Sequence, residues 1–452
     1  MVEVLLAASI FSLLITALVG AFIYGQDSSA LAGTRIRAGQ LADEGLEASR
    51  SIRDGAFTNL VDGSHGLAVS GNVWTYSGTQ DVAGQFTRSV TVSTVDANTK
   101  ELTSTVNWQQ NAQRTGTASA ATRLTNWAAA VAASWANPNT LAGNLNLAGL
   151  QDGLKIAIQS NYAYVVRNDG TPDFAVINIT NPASPTLVGS LALAGIPRNI
   201  VVSGNYAYIA SSDNAQELKV INVTNPAAPV QVGSYNASGN SDANGVFMLG
   251  TTVYLVRTFL AADPEFVIVN VANPAAPVLL GTAQLSDTSN EVYVQGTAAY
   301  VVSNSNTQEL QVVNVANPAA PVQVANINFA GTSNALTLAG LTNRLFVGQG
   351  NVLHVVNTTT PLAPVLLGSF SAGGVVNDIS LILGNGNTHV FIATASATAE
   401  FQVVDVSVPA TPVLVGTYNT LGVLNGIAYD GATDRAYAVG AANAQEFTVV
   451  QP

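Results

Sequence analysis

Thr180–Ser190 reads TNPASPTLVGS, and the phrase returns five times: TNPAAPVQVGS (224–234), ANPAAPVLLGT (272–282), ANPAAPVQVAN (316–326), TTPLAPVLLGS (359–369) and SVPATPVLVGT (407–417). The first prolines, Pro182, Pro226, Pro274, Pro318, Pro361 and Pro409, stand 43 to 48 residues apart. A second phrase, YAYVV and its variants, recurs around Tyr164, Tyr208, Tyr254, Tyr300, Phe346, Phe391 and Tyr437, which makes seven copies. Each unit holds four short apolar or alternating runs, such as NIVVSG, YAYIAS, LKVINV and PVQVGSY. A period near 45 with four strands per unit is the pattern of a β-propeller blade. Helical repeats would show a 3.6-residue apolar period instead. The sequence therefore predicts seven blades over 138–452.

The two ends of the repeat region complete each other. The seventh unit stops at TVVQP after its third strand, with no NP phrase behind it. Upstream, ANPNTLAGNLNLAG at Pro138 matches TNPASPTLVGSLALAG with one residue missing. Residues 138–149, with Thr140–Leu147 as the strand, are therefore expected to supply the outer strand of the last blade. That closure removes an open sheet edge. The units LKVINVTNPAAPVQVGSY and FQVVDVSVPATPVLVGTY resemble LVIVD-type propeller repeats, a family that implies a surface or extracellular setting.

Ahead of the repeats, Val4–Tyr24 (VLLAASIFSLLITALVGAFIY) contains no charged residue. About 20 apolar residues span a hydrocarbon core as a helix. The pattern then turns amphipathic: Leu31, Ile36, Leu41, Leu46 and Ile52 recur among Arg35, Arg37, Asp43, Glu44, Glu47, Arg50 and Arg53, and nothing breaks the helix before Asp54-Gly55. A secretory signal would carry a basic residue before its apolar run, whereas the first basic residue here is Arg35. Between Gly55 and Asn137 the helical period gives way to alternating runs. VDANTKE between TRSVTVS and LTSTVNW is a hairpin signal, with Asp96, Ala97 and Asn98 at the bend. A small antiparallel sheet on the back half of the helix would bury the Leu41/Leu46/Ile52 stripe.

VEVLLAASIF followed by LADEGLEASRSIRD resembles the N-terminal helix of type IV pilins, and RSVTVS with LTSTVNW resembles the sheet of minor pilins. The resemblance implies that the apolar half sits in the cytoplasmic membrane before assembly and in a filament core afterwards. It implies assembly contacts through Glu3, Val4, Leu5, Leu6, Ile10, Phe11, Leu14 and Phe22, with Glu3 meeting a neighbouring subunit's terminal amine. The register departs from the family: Glu3 stands nearer to Met1 than the family's glutamate stands to its processed end. A plain membrane anchor is the competing reading. The fold class expected is thus multidomain and mainly β. Residues 1–54 form the helix, 55–137 a pilin-like α+β sheet, and 138–452 the closed propeller.

Composition narrows the function. Hydrophobic residues make up 48% and charged residues 9% of 452, with a formal net charge of −12. That acidity disfavours nucleic acid and anionic lipid as electrostatic partners. There is no cysteine, which excludes disulfides and thiolate metal sites. The three histidines, His65, His354 and His389, show no metal or triad spacing. No cofactor, metal site or enzymatic activity is expected.

Internal repetition does single out two sets of polar residues. At the head of each first strand stand Asp152, Asn199, Asn244, Asn290, Asn334, Asn377 and Asn425. At the head of the third strand stand Asp173, Glu217, Glu265, Glu309, Glu400 and Glu446, with Val352 breaking the series in the fifth unit. These should share one propeller face, opposite the NP phrases. The amides read either as turn caps or as a ligand ring, and the acids either as solvated charges or as an acidic mouth for a cation, glycan or protein. Sequons at Asn178, Asn222, Asn236 and Asn357 mostly follow the repeat phrase.

The sequence thus predicts a subunit of an extracellular pilus-like filament, polymerising with itself through its helix after passing the inner membrane and the pilus assembly machinery. The propeller would be displayed for adhesion. The alternative is a low-abundance tip pilin or a tethered adhesin.

Overall fold

The computed structural model describes the chain except residues 1, 72, 97–98, 112–113, 127–134, 141–142, 148–151, 169, 332–333, 342, 383–388, 421 and 442–444. The side chains of 2–13, 17, 20–32, 70, 111 and 140 also lie outside it. The fold is mainly β and divides into two compact units, Met1–Ala130 and Val131–Pro452.

In the first unit a helix, α1 (Val2–Gly55), packs its back half on one antiparallel sheet. The strands are β1 (Gly63–Ser70), β2 (Val73–Ser77), β3 (Asp81–Ala83), β4 (Phe86–Asp96), β5 (Thr99–Asn111) and β6 (Arg114–Thr125), ordered β2-β1-β4-β5-β6 with β3 beside β4. The predicted stripe is covered: Leu41, Leu46 and Ile52 are buried against Val90, Val92, Leu102, Leu124, Phe86 and Trp108. Alternation decides this, because Val90, Val92, Leu102 and Val106 fall on the sheet face turned to the helix. A buried Arg88 ties the layers together. Its guanidinium donates to the Leu41 carbonyl at 3.1 Å and pairs with Asp81 at 2.9 Å, while Asp81 also accepts from the Leu67 amide. The predicted hairpin pairs Asp96 with Thr99, although its bend, 97–98, lies outside the described residues. Most of the apolar run 4–24 is likewise undescribed at the side-chain level. Among the described residues no helix is long and apolar enough to cross a membrane.

The second unit contains seven four-stranded antiparallel sheets among the described residues, in a propeller-like arrangement. The first six each take four consecutive strands, as the repeat predicts. The first of them comprises Gly153–Gln159, Tyr162–Arg167, Phe174–Asn178 and Thr186–Leu191. The innermost strands of neighbouring sheets lie side by side, and Leu424–Asp430 of the seventh lies beside Gly153–Gln159 of the first. Between sheets the second and third strands are buried on both faces. Tyr208, Leu218 and Val220, for example, pack on Val246, Val253 and Leu255 of the next sheet. Strands of this kind read as continuous apolar runs, which is why LKVINV lacks clean alternation.

The NP phrases form the turns into the outermost strands. In each, an Asn or Asp side chain accepts the amide two residues on, as Asn178 does from Thr180, Asn222 from Thr224, Asn357 from Thr359 and Asp405 from Ser407. These Asx turns account for three of the four sequons without any glycan. A glycine in the outer strand then meets the next NP turn. A Cβ on Gly189, Gly233, Gly281 or Gly368 would collide with the carbonyl of Pro226, Pro274, Pro318 or Pro409.

The segment ahead of the first sheet takes part in the same pattern. Strand β7 (Asn139–Thr140) pairs with Gln451 and Val450, and Leu145 exchanges backbone hydrogen bonds with Phe447 at 2.9 and 3.2 Å. Gly143 abuts the Pro182 carbonyl, and Gly416 abuts the Trp135 carbonyl and Pro138. The unit also begins earlier than the predicted Pro138. Trp135 is fully buried, with its ring 4.5 Å from Phe391 and its indole N–H donating to Asp434 at 3.0 Å. The alanine-rich stretch around it carries no repeat signal to mark this.

Candidate functional site

Each innermost strand carries a β-bulge after its first residue, for example between Gly153 and Lys155 or between Ser289 and Glu291. A bulge puts two residues opposite one and re-aims side chains. The bulged residue in four sheets is an asparagine. Its side-chain nitrogen donates forward to the next sheet: Asn244 to the Ser289 carbonyl (3.0 Å), Asn290 to Ala335 (2.8 Å), Asn377 to Leu424 (2.8 Å) and Asn425 to Gly153 (2.9 Å). These amides staple neighbouring sheets through carbonyls at the strand ends.

The predicted sevenfold ring is therefore not one ring. Asn199 lies one register position later, and Asn334 and Asp152 precede their strands, where Asp152 pairs with the Asn168 side chain. Counting from a turn could not detect the shift, because the bulge alters the register without altering the sequence period.

The residue after the bulge forms a second series. The series is Lys155, Asn199, Gly245, Glu291, Thr337, Asp378 and Gly426. Three of these meet from the first, fourth and sixth sheets, none adjacent to another. The Lys155 ammonium lies 2.6 Å from Asp378 and 3.5 Å from Glu291. Asn199 donates to Glu291 at 3.1 Å. The remaining carboxylate oxygens accept the amides of Leu338 (3.2 Å) and Ile427 (2.8 Å). The side chains are 10–15% exposed. Burial works against the Lys155 ammonium, but the Asp378 and Glu291 carboxylates more than offset it and hold its pKa above the usual lysine value. Burial likewise pushes Asp378 up, against the pull of Lys155, since one ammonium serves two carboxylates. Sequence reading missed this cluster because it lies at positions where the repeats differ.

The predicted acidic mouth is buried as well. Asp173, Glu217, Glu265, Glu309, Glu400 and Glu446 are at most 3% exposed. Five of them accept the amide twenty residues downstream: Leu193, Ala237, Leu285, Phe329 and Thr420, at 2.7–3.1 Å. Glu446 has no residue twenty positions on, and it accepts the amide of Leu147 at 3.0 Å instead. Where the fifth unit has Val352, the Ala372 amide goes to the Asn351 carbonyl at 2.8 Å. A backbone oxygen replaces the carboxylate, which explains the gap in the series.

Two of these acids also carry a buried ion pair to the following sheet. Arg257 sits 3.3 Å from Glu217, and Arg167 sits 3.0 Å from Glu446. Burial raises the pKa of Glu217, Glu265 and Glu446 above the ordinary carboxylate value. The acids thus act as connectors between a third strand and the crossover to the next sheet, and they present no open face to a ligand.

The histidines are dispersed. His354 stacks on Phe329 with ring centroids 4.2 Å apart, bonds Ser369 and Gln349, and is held to about 4 by burial. His389 is buried in the sixth sheet and its pKa is lowered by burial. Among the described residues no group of three or more His, Cys, Asp or Glu could hold a metal ion.

What the propeller does present outward is its perimeter. The outermost strands from the second sheet to the sixth begin with Val230, Val278, Val322, Val365 and Val413, each 56–60% exposed, and none of these strands contains a charged residue. The Leu14, Ile15, Leu18 and Val19 side chains of α1 are 48–72% exposed; the other predicted assembly residues, Glu3, Val4, Leu5, Leu6, Ile10, Phe11 and Phe22, lie outside the described side chains.

The LVIVD repeat model matches residues 152–192, 194–237, 258–284, 288–328 and 383–420. No curated protein matches the chain. Similar solved structures include the WD40 repeats of RRP9, at 10% identity and TM-score 0.54 over 70% of this chain and 97% of that one. The β-propeller domain of Myceliophteria thermophila Cps50 (Swd1) is similar at 10% identity and TM-score 0.54, over 70% and 99%. A functionally unknown protein from Desulfotomaculum acetoxidans DSM 771 is similar at 12% identity and TM-score 0.52, over 62% and 89%. At such identities the likeness concerns the fold. The chain thus contains LVIVD repeats, and its second unit has a β-propeller fold.

Proposed function

We propose that the chain is a surface-display protein: a pilin-like subunit that assembles with copies of itself through α1 and carries a closed seven-bladed propeller as its interaction module. The observation that carries this reading is the divided character of α1. Its back half is covered by the sheet, whereas Leu14, Ile15, Leu18 and Val19 stand exposed in a run without charge. Such a surface needs lipid or other apolar helices around it. An open head-to-tail contact between identical helices propagates into a filament, and an unpaired Glu3 in that setting would favour the register that gives it a partner.

Ring closure rests on the seam. There the Asn425 staple, the Arg167–Glu446 pair, the Leu147 amide and the Gly143 contact repeat what the other sheet boundaries use. The bare, uncharged perimeter and the internally satisfied Lys155 cluster favour a binding role over catalysis. The setting would be the cytoplasmic membrane before assembly and the cell exterior afterwards.

The test is fractionation of cells expressing the wild type and the double variant Leu14→Asp/Leu18→Asp. An aspartate at the centre of an inserted helix costs about 3 kcal/mol. Wild-type protein should sediment with membranes and appear in sheared filaments, while the variant should fall at least tenfold in both. An unchanged distribution would overturn the reading.

A further inference from the structure

Beside the end of α1, the first unit holds a cleft of about 480 Å³ that neither the repeats nor α1 assembly explains. Ile52, buried in the core between α1 and the sheet, is part of its lining. One wall is aromatic: Trp74 and Tyr76 lie two residues apart on β2 and so share a face, and His65 of β1 stacks on Tyr76 with centroids 4.5 Å apart at 17°. That wall is held in place. His65 Nε2 bonds the Val61 carbonyl at 2.7 Å, and the Tyr76 hydroxyl donates to Ser49 Oγ at 3.0 Å. The lining also includes the exposed Thr58 and Asn59, a hydroxyl and a carboxamide from the 3₁₀ turn Phe57–Asn59. Among the described residues no Asp, Glu, Lys or Arg lines the cleft.

We propose that this cleft is a binding site for a neutral pyranose ring, such as the terminal residue of an uncharged glycan. The volume fits a small ligand, and the mix of aromatic walls with a few polar groups is that of a ligand pocket. A pyranose offers a face of C–H groups that packs on the electron-rich face of an indole, and an edge of hydroxyls. Asn59 supplies both a donor and an acceptor to that edge, and Thr58 supplies a hydroxyl. An ionised ligand would find no counter-charge here, and a flat aromatic ligand would leave the Asn59 and Thr58 groups unmatched. The proposal stands whether or not α1 assembles.

The test uses the full-length protein and saturation-transfer NMR with the methyl pyranosides of glucose, galactose, mannose and N-acetylglucosamine. Glucuronate and a tryptophan-containing peptide serve as competitors. At least one neutral pyranoside should bind with a millimolar dissociation constant. Trp74→Ala should weaken that binding at least tenfold and Asn59→Ala about threefold or more. Asn59 is exposed, so its variant reports on the site if the tryptophan variant proves unstable; unchanged thermal unfolding of each variant is the control. Absence of binding by all four glycosides up to 100 mM, binding indifferent to both substitutions, or preference for the peptide or the glucuronate would overturn the proposal.

Discussion

Replacing Arg167 with methionine is expected to loosen the junction between the first and seventh sheets by about 3–5 kcal/mol, the usual effect of removing one partner from a buried ion pair. Both side chains are 1% exposed, and Arg167 also donates to the Pro172 carbonyl at 3.1 Å. The methionine would leave Glu446 as an uncompensated carboxylate in an apolar site, held by the Leu147 amide. Amide exchange at Leu145 and Phe447, which pair the segment ahead of the first sheet with the last strand beside this ion pair, should accelerate at least 100-fold. Arg167→Met combined with Glu446→Gln should recover much of the loss. The amide oxygen of glutamine still accepts from Leu147, and the stranded charge is gone. If the single variant exchanges like the wild type, the ion pair does not hold the junction.

The second large effect is expected at the Lys155 cluster. Lys155→Met removes the one ammonium that separates Glu291 from Asp378. Two like charges would then face each other on side chains only 10–15% exposed, at a cost of roughly 3 kcal/mol at pH 7. The sign of the pH dependence follows. Without Lys155 the pKa of Asp378, already raised by burial, rises further in the folded state. The folded variant then binds more protons than the unfolded chain between the ordinary carboxylate pKa and the raised value. Its stability deficit should therefore shrink as the pH falls through that window and grow as it rises. Urea midpoints of wild type and variant at pH 7 and pH 5 measure this. A deficit that is equal at both pH values would show that lost packing of the lysine stem, and not charge, is responsible. Lys155→Met/Glu291→Gln/Asp378→Asn should be close to neutral.

What could be read in the sequence, and what could not, follows from repetition itself. The NP and YAYVV phrases specify four strands per unit because each unit buries the same pair of apolar strands and turns on the same Asx cap. The stripe Leu41, Leu46 and Ile52 was legible for a similar reason: its period matches the helix, and the alternation in β4 and β5 supplies a partner face. Repetition also drew attention to the wrong atoms. Positions that recur do a job common to every sheet, and so the Glu217 series proved to be buried connectors and four of the asparagines staples. Lys155, Glu291 and Asp378 sit where the units differ, and their meeting depends on the propeller-like arrangement bringing non-adjacent sheets together. No sequence period encodes that. The role of Trp135 was invisible for the opposite reason, since it belongs to no repeat and is placed only by the cavity it fills between Phe391, Phe401 and Tyr429.

The cysteine-free chain offers a direct test of ring closure. Asn139 and Gln451 are register partners across β7 and the last strand, and their side chains are hydrogen-bonded at 2.8 Å. In Asn139→Cys/Gln451→Cys, mild oxidation should yield an intramolecular disulfide in nearly every molecule, shown by a faster-migrating monomer that reverts on reduction. Free thiols, or cross-links formed only between molecules, would show that the segment ahead of the repeats does not complete the last sheet of its own chain, and would contradict the closed propeller.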